Sequence, residues 1–229
     1  MKSRLTPRRQ AREGLGLLLA IVALMWVLEA INSVDHNALD QNAGILPRNV
    51  DHLWAIFTSP FLHANFYPHL VDNTIPLVFM GVIIALRGAG RLALVTLIVI
   101  VIGGLGTWLV SPAHSNTIGA SGVVFGYATY LLARGVFNRS ALEIGVGLIV
   151  GVVWGGALIA SVVPHSGVSW QAHVSGAVGG VIAAWLLSAA RHRVGRGAGT
   201  GGLPPGGSGR SRPAVRGSDL HDALDRAIS

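Results

Sequence analysis

Cysteine is absent from the 229-residue chain, which removes disulfides, thiolate metal sites and cysteine nucleophiles together and leaves Ser, Thr or a carboxylate for any nucleophilic role. Charge is also scarce. Asp, Glu, Lys and Arg make up 12% of the residues while 51% are hydrophobic, and the mean hydropathy is +0.57. A chain of that composition cannot clothe itself in a water-compatible surface, so a membrane protein is expected and a soluble domain is not. Acid is the rarer sign, 10 Asp and Glu against 17 Lys and Arg, for a net charge of +7 and a pI near 11.2. A basic chain invites a nucleic-acid reading, but aromatics are only 7% of the residues and no basic cluster is interleaved with them as a stacking surface needs. Nucleic acid is not expected as a partner.

What the chain does have is apolar length. Crossing the hydrocarbon core takes roughly 20 apolar residues at about 1.5 Å rise each, and six stretches meet that need, at approximately 14–33, 68–87, 91–111, 118–136, 141–163 and 169–190. The expected fold is therefore all-α and integral to the membrane, a bundle of six transmembrane helices. The first stretch, "LLLAIVALMWVLEAIN", is too long and too poor in a small-residue cleavage site for a signal peptide and is read as retained. Short loops join the spans except over residues 34–67, where polar and apolar residues mix and folding at the membrane surface is expected. Three parts follow: a basic segment 1–13, a six-span domain 14–190 and a Gly, Pro and Arg rich tail 191–229 that cannot bury a core and is expected to be disordered. Leu220, Ala223, Leu224 and Ile228 lie at helical spacing near its end and allow a short surface helix.

The cations locate the spans. Lys2, Arg4, Arg8, Arg9 and Arg12 precede the first, Arg87 and Arg91 join the second to the third, Arg134 and Arg139 join the fourth to the fifth, and the tail holds most of the rest. With six spans all of these share one side and only Arg48 falls on the other, so the positive-inside rule puts both termini in the cytoplasm of a multi-pass cell-membrane protein. Tryptophans 26, 54, 108 and 170 with Glu29 then form a belt near the outer interface.

In that topology spans two, four and six enter from outside, and each carries polar residues within its first two turns: His69 and Asn73, Ser121, and His173. Such groups are expensive within a membrane and face a protein interior or a wet cavity, so their shared depth marks a candidate site. His69 and Asn73, four residues apart, share one helix face. Gly122 and Gly126 on span four, with Ala172, Gly176 and Gly180 on span six, supply small faces that allow two backbones to approach. Approach of that kind would let a histidine reach a serine. Neutral imidazole can take the proton from a serine hydroxyl, making Ser121 the nucleophile and His173 the base. The oxyanion formed on attack needs preorganised donors, for which Asn73, His69 and the first-turn amide of Ser121 are the candidates. Because no carboxylate is placed to orient His173, a dyad is expected, with Phe125 one turn below Ser121 holding the imidazole by ring packing.

With "GASG" at Gly119 to Gly122, "AHVSG" at Ala172 to Gly176 and "HLVDN" at His69 to Asn73, in that spatial setting and chain order, the sequence resembles the rhomboid family of intramembrane serine proteases. "SPFLH", ending at His63, is similar to the family's approach to span two. The resemblance covers about residues 15–190 and implies Ser121 as nucleophile, His173 as base and His69 and Asn73 as oxyanion donors. It also implies transmembrane proteins as substrates, no cofactor, and a site opening to the outside. Three departures stand out: Phe125 replaces the family's usual Tyr, Trp54 is followed by Ala55 instead of Arg, and the spacing from His63 to His69 is one residue longer.

Two competing readings remain. A catalytically inactive relative would bind membrane clients, although such proteins normally lose the serine or histidine and both are present here. A metal-dependent transporter or protease would use the histidines expected outside, His36, His52, His63, His69, His114, His165 and His173. Against metal stand the missing HExxH signature and the lack of any ligand spacing beyond His69 and Asp72. Asp72 is read as a helix-start residue at the positive end of a dipole.

Overall fold

The computed structural model describes residues 6–164 and 167–199. Expectations resting on residues 1–5, on His165 and on residues 200–229, the proposed terminal helix included, lie outside the described residues. Helix α1, Pro7–Val34, starts where Thr6 accepts a bond from the Arg9 amide and Pro7 takes the first position, which needs no amide donor. Next come α2, Ala38–Ala43, two tight 3-10 turns at Val50–Ile56 and Ser59–Phe61, and a wide turn at Phe66–Leu70. The remaining helices are α3, Val71–Ala85, α4, Ala89–Val110, α5, Ser121–Asn138, α6, Ala141–Val162, and α7, Trp170–Gly199.

Long helices stand at all six apolar stretches, with shifted ends. The basic segment from Pro7 is helical, helped by an Arg9–Glu13 pair one turn apart at 3.0 Å. Helix α7 continues past the expected limit at 190 to Gly199; helix propagation needs only one bond per added residue, and the next proline is Pro204. Four helices among the described residues are long and apolar enough to cross a membrane: Pro7–Val34, Phe66–Ala85, Ala89–Val110 and Ala141–Val162.

Helix α5 is not among those four. It carries Tyr127, Thr129, Tyr130 and Arg134, yet Val123 to Ala128, Tyr130, Leu131, Arg134 and Gly135 are buried, because α3, α4 and α6 pack around it. A helix enclosed by protein is selected for fit, whereas one facing lipid must be apolar. Helix α6 is the opposite case: only Gly147 and Val150 are buried, and Leu142, Leu148, Val152 and Ile159 are exposed. Met25, Leu77, Met80, Val95, Val99 and Tyr127 lie in the core between α1, α3, α4 and α5.

Segment 34–67 is tied down by main-chain bonds. Ile45 and Thr117 exchange backbone bonds of 2.9 and 3.1 Å, and the Asn116 side chain donates to Asp40 O at 2.7 Å. Arg48, the one cation expected outside, donates to Leu109 O at 2.9 Å and Ser111 O at 2.8 Å, so it caps the carbonyl end of α4, where a positive charge is favoured.

At the other end of α5, the nearly inaccessible Arg134 donates to Glu143 Oε1 at 2.7 Å; Arg87 reaches the same oxygen at 3.0 Å, and Asn138 Nδ2 holds Oε2. One carboxylate therefore fastens α3's exit, α5 and α6. Removing it strands a buried guanidinium, so Glu143→Gln is expected to destabilise the protein by about 3–5 kcal/mol. Thermal unfolding in detergent checks this, with Arg134→Met/Glu143→Leu expected to recover part of the loss.

Candidate active site

The approach to Ser121 is built from backbone bonds. The Gly119 amide donates to Ser59 O at 2.9 Å, and the Ala120 amide donates to His63 Nε2 at 3.3 Å. Gly119 has φ +116, in the region that favours glycine. The first bonds that close α5 run from Val123 and Val124 to Ala120, so the amides of Ser121 and Gly122 lie outside the helical ladder. They sit at the positive end of the dipole, where free amides attract negative charge.

Across from that turn, the wide turn Phe66–Leu70 presents His69. Ala64 N–H donates to His69 Nδ1 at 3.1 Å, so Nδ1 offers its lone pair and the ring proton is on Nε2. That nitrogen faces Gly119, where an added Cβ would come within 2.8 Å of it and within 3.8 Å of Asn73 Nδ2. Asn73 donates to His69 O at 2.9 Å, one turn back along the same face. Two donor groups thus converge on Gly119, two residues before Ser121. The extra residue between His63 and His69 is absorbed in the wide turn, in which the Leu70 amide reaches back five residues to Asn65 O at 3.1 Å. Asn65 Oδ1 also accepts the His69 amide at 3.0 Å.

His173 sits in the first turn of α7 and is 5% exposed. Its ring stacks on Phe125 with centroids 4.3 Å apart and planes 8° from parallel. Its Nδ1 lies 2.8 Å from Ser161 O. The glycine faces bring α5 and α7 into main-chain contact: a Cβ at Gly176 would collide with Gly122 O, and one at Gly180 with Gly126 O. A Cβ on Gly122 would press on Ala172 O at 3.2 Å, and one on Gly126 would strike Val99 of α4. Ser121, His173, His69, Asn73 and Phe125 all line one cavity of about 1290 Å³, together with Ser161 and Trp154. Among the described residues no group of three or more His, Asp and Glu converges as a metal site would require.

His63 is the residue whose place the sequence did not reveal. It is fully buried, its ring lies edge-on to that of His69 with centroids 5.1 Å apart, and it accepts the Ala120 amide that precedes Ser121. Burial, and secondarily the neighbouring His69, push its pKa down to about 3, against a weaker upward pull from the Phe61 backbone. The only available signal was its position at the end of "SPFLH". Ala55, which stands in the family's arginine position, is wholly buried, so that site holds a methyl group in a tight pocket.

Comparison with known proteins gives a consistent result. The model of the Rhomboid domain matches residues 50–190. An uncharacterized protein of Mycobacterium tuberculosis is 44% identical over 180 residues, covering 75% of this chain and 74% of its own length. An uncharacterized protein of Mycobacterium leprae is 42% identical over 181 residues, 75% and 70% of the two chains. Rhomboid-like protein 11, chloroplastic, of Arabidopsis thaliana is 33% identical over 151 residues, 57% of this chain and 51% of its own.

Two outcomes follow from this geometry. Because folded His63 resists protonation and unfolded His63 does not, its contribution is complete above pH 6.5 and declines below it, by up to about 1.4 kcal/mol per pH unit until the folded value is reached. His63→Gln, which retains an acceptor for Ala120, is expected to flatten the fall of Tm between pH 7 and pH 4. Gly119→Ala combines a disfavoured φ with a clash against His69 Nε2; it is expected to cut any Ser121-dependent activity at least tenfold while the protein still purifies as a folded species, read by the same unfolding assay.

Proposed function

The chain belongs to the rhomboid family, and on that premise we propose that it is an intramembrane serine endopeptidase that cuts transmembrane-protein substrates in or beside their helices. The observation that carries the reading is the shared cavity: Ser121 at a helix start, a stacked imidazole at His173 and the donors of His69 and Asn73 open onto the same space. In this reading His173 takes the Ser121 proton as Oγ attacks the peptide carbonyl. The negative oxygen forms beside the Ser121 amide, His69 Nε2–H and Asn73 Nδ2–H, each such donor being worth roughly 3 kcal/mol of barrier in comparable sites. His173 then protonates the leaving amine, and water entering the cavity hydrolyses the acyl-serine. No cofactor or metal takes part.

The membrane arrangement belongs to the same reading. All six long helices span the bilayer, α5 as the enclosed one, with both termini in the cytoplasm and the cavity opening to the outside, as the cation distribution favours. A substrate helix has to unwind locally to place an extended stretch against Ser121, since an intact helix hides its carbonyl carbons behind its own hydrogen bonds.

Purified protein in detergent is expected to cleave a transmembrane reporter, and Ser121→Ala and His173→Ala are each expected to lower the rate by at least a thousandfold, with a metal chelator having no effect. Cleavage that survives Ser121→Ala rejects the dyad. Absence of wild-type cleavage across varied reporters, with retained reporter binding, turns the reading to a client-binding relative.

A further inference from the structure

We infer that the carboxyl end of α6 is the positioning group for the His173 base: the Ser161 main-chain oxygen holds the Nδ1 edge of the ring and fixes which nitrogen carries the proton. The inference rests on the serine-protease reading and extends it. A dyad without a carboxylate leaves unexplained what selects the imidazole tautomer. Among the described residues lining the cavity Asp72 is the one carboxylate, and it belongs to α3, three residues from His69.

The contact has a definite polarity. A carbonyl oxygen only accepts, so at 2.8 Å the proton on that edge belongs to Nδ1. In the neutral ring Nε2 then holds the lone pair, which is the atom a base must use. Ser161 lies in the last turn of α6, which ends at Val162, where the final carbonyls lack partners in their own helix and carry the negative end of the dipole, roughly half an elementary charge. When His173 becomes imidazolium, its Nδ1–H points at that negative end. This is the task a buried carboxylate performs in a serine triad, here done by main chain at lower strength. The two restraints are complementary. Stacking on Phe125 sets the ring plane, and the Ser161 oxygen sets which edge faces α6.

Side-chain substitution cannot remove a main-chain oxygen, but a backbone ester weakens it. Replacing Val162 by its α-hydroxy acid turns the Ser161 carbonyl into an ester carbonyl, a poorer acceptor, and leaves every side chain in place. The same replacement at Val152, mid-helix and exposed, serves as the control for one lost helical bond. In wild-type protein labelled with 15N-histidine and compared with His173→Gln to assign the signal, the His173 ring is expected to be protonated at Nδ1 and unprotonated at Nε2. The Val162 ester is expected to show a mixture of tautomers and a kcat about tenfold below the Val152 ester, with KM unchanged. An Nε2-protonated ring in the wild type, or a Val162 ester that matches its control in both spectrum and kcat, overturns the inference. Wild-type protein in which Ser121 neither cleaves a reporter nor reacts with a fluorophosphonate removes the protease reading instead, and the ring spectrum still decides the contact.

Discussion

Helices α5 and α7 touch main chain to main chain, and the candidate site depends on that contact. Gly122 meets Gly176 and Gly126 meets Gly180 at distances no Cβ would tolerate. Ordinary side chains hold helix axes 8–10 Å apart, and a serine and a histidine on separate helices could not then share a small polar space. Hydrophobic attraction does little between helices in lipid, so van der Waals fit along the small-residue seam provides much of the cohesion. Helix α4 joins the same seam, with Gly103 against Gly176 and Val99 against Gly126. The glycines thus set the depth and mutual angle of the elements that bear Ser121 and His173.

Around this seam, buried polar groups are mostly matched, as a low-dielectric interior requires. The Ala120 amide has His63, the Gly119 amide has Ser59 O, Tyr127 has Thr96, and Arg134 has Glu143. The amides of Ser121 and Gly122 stand apart from the ladder, and Ser121 lines the cavity. Satisfied bonds on either side hold those amides in position, so the turn is rigid where its donors are left available.

Much of this was legible in the sequence, for physical reasons that differ by element. The long helices announce themselves because lipid-facing surface must be apolar, and α4 and α6 match their expected limits within a few residues. The place of Ser121 in the first turn of α5 was legible, although the helix starts at Ser121 itself and not at 118, and the four-residue spacing of His69 and Asn73 put them on one face. The enclosed character of α5 was not legible, since Arg134 and its tyrosines read as polar until the partners around them are known. His63 was hidden because burial, not residue type, makes it significant. Ser161 was hidden more deeply still: its contribution is a backbone oxygen, which every residue has. The extra residue before His69 looked like a disturbance of the pattern, and the wide turn Phe66–Leu70 takes it up locally so that the histidine keeps its station.

The polarity of α5 ties it to the helix that follows it in sequence. Arg134 lies four residues from the carboxyl end of α5, where a charge costs less than at a helix centre, but Tyr127, Thr129 and Tyr130 add polarity nearer the middle of the helix. Its counter-charge, Glu143, lies at the start of the next helix, just beyond a turn that begins at Arg139. The two helices are neighbours in sequence, so the charge that balances Arg134 is supplied by the strongly apolar helix that directly follows it. The ion pair that fastens the bundle thus also makes the most polar of its packed helices dependent on its neighbour for charge balance.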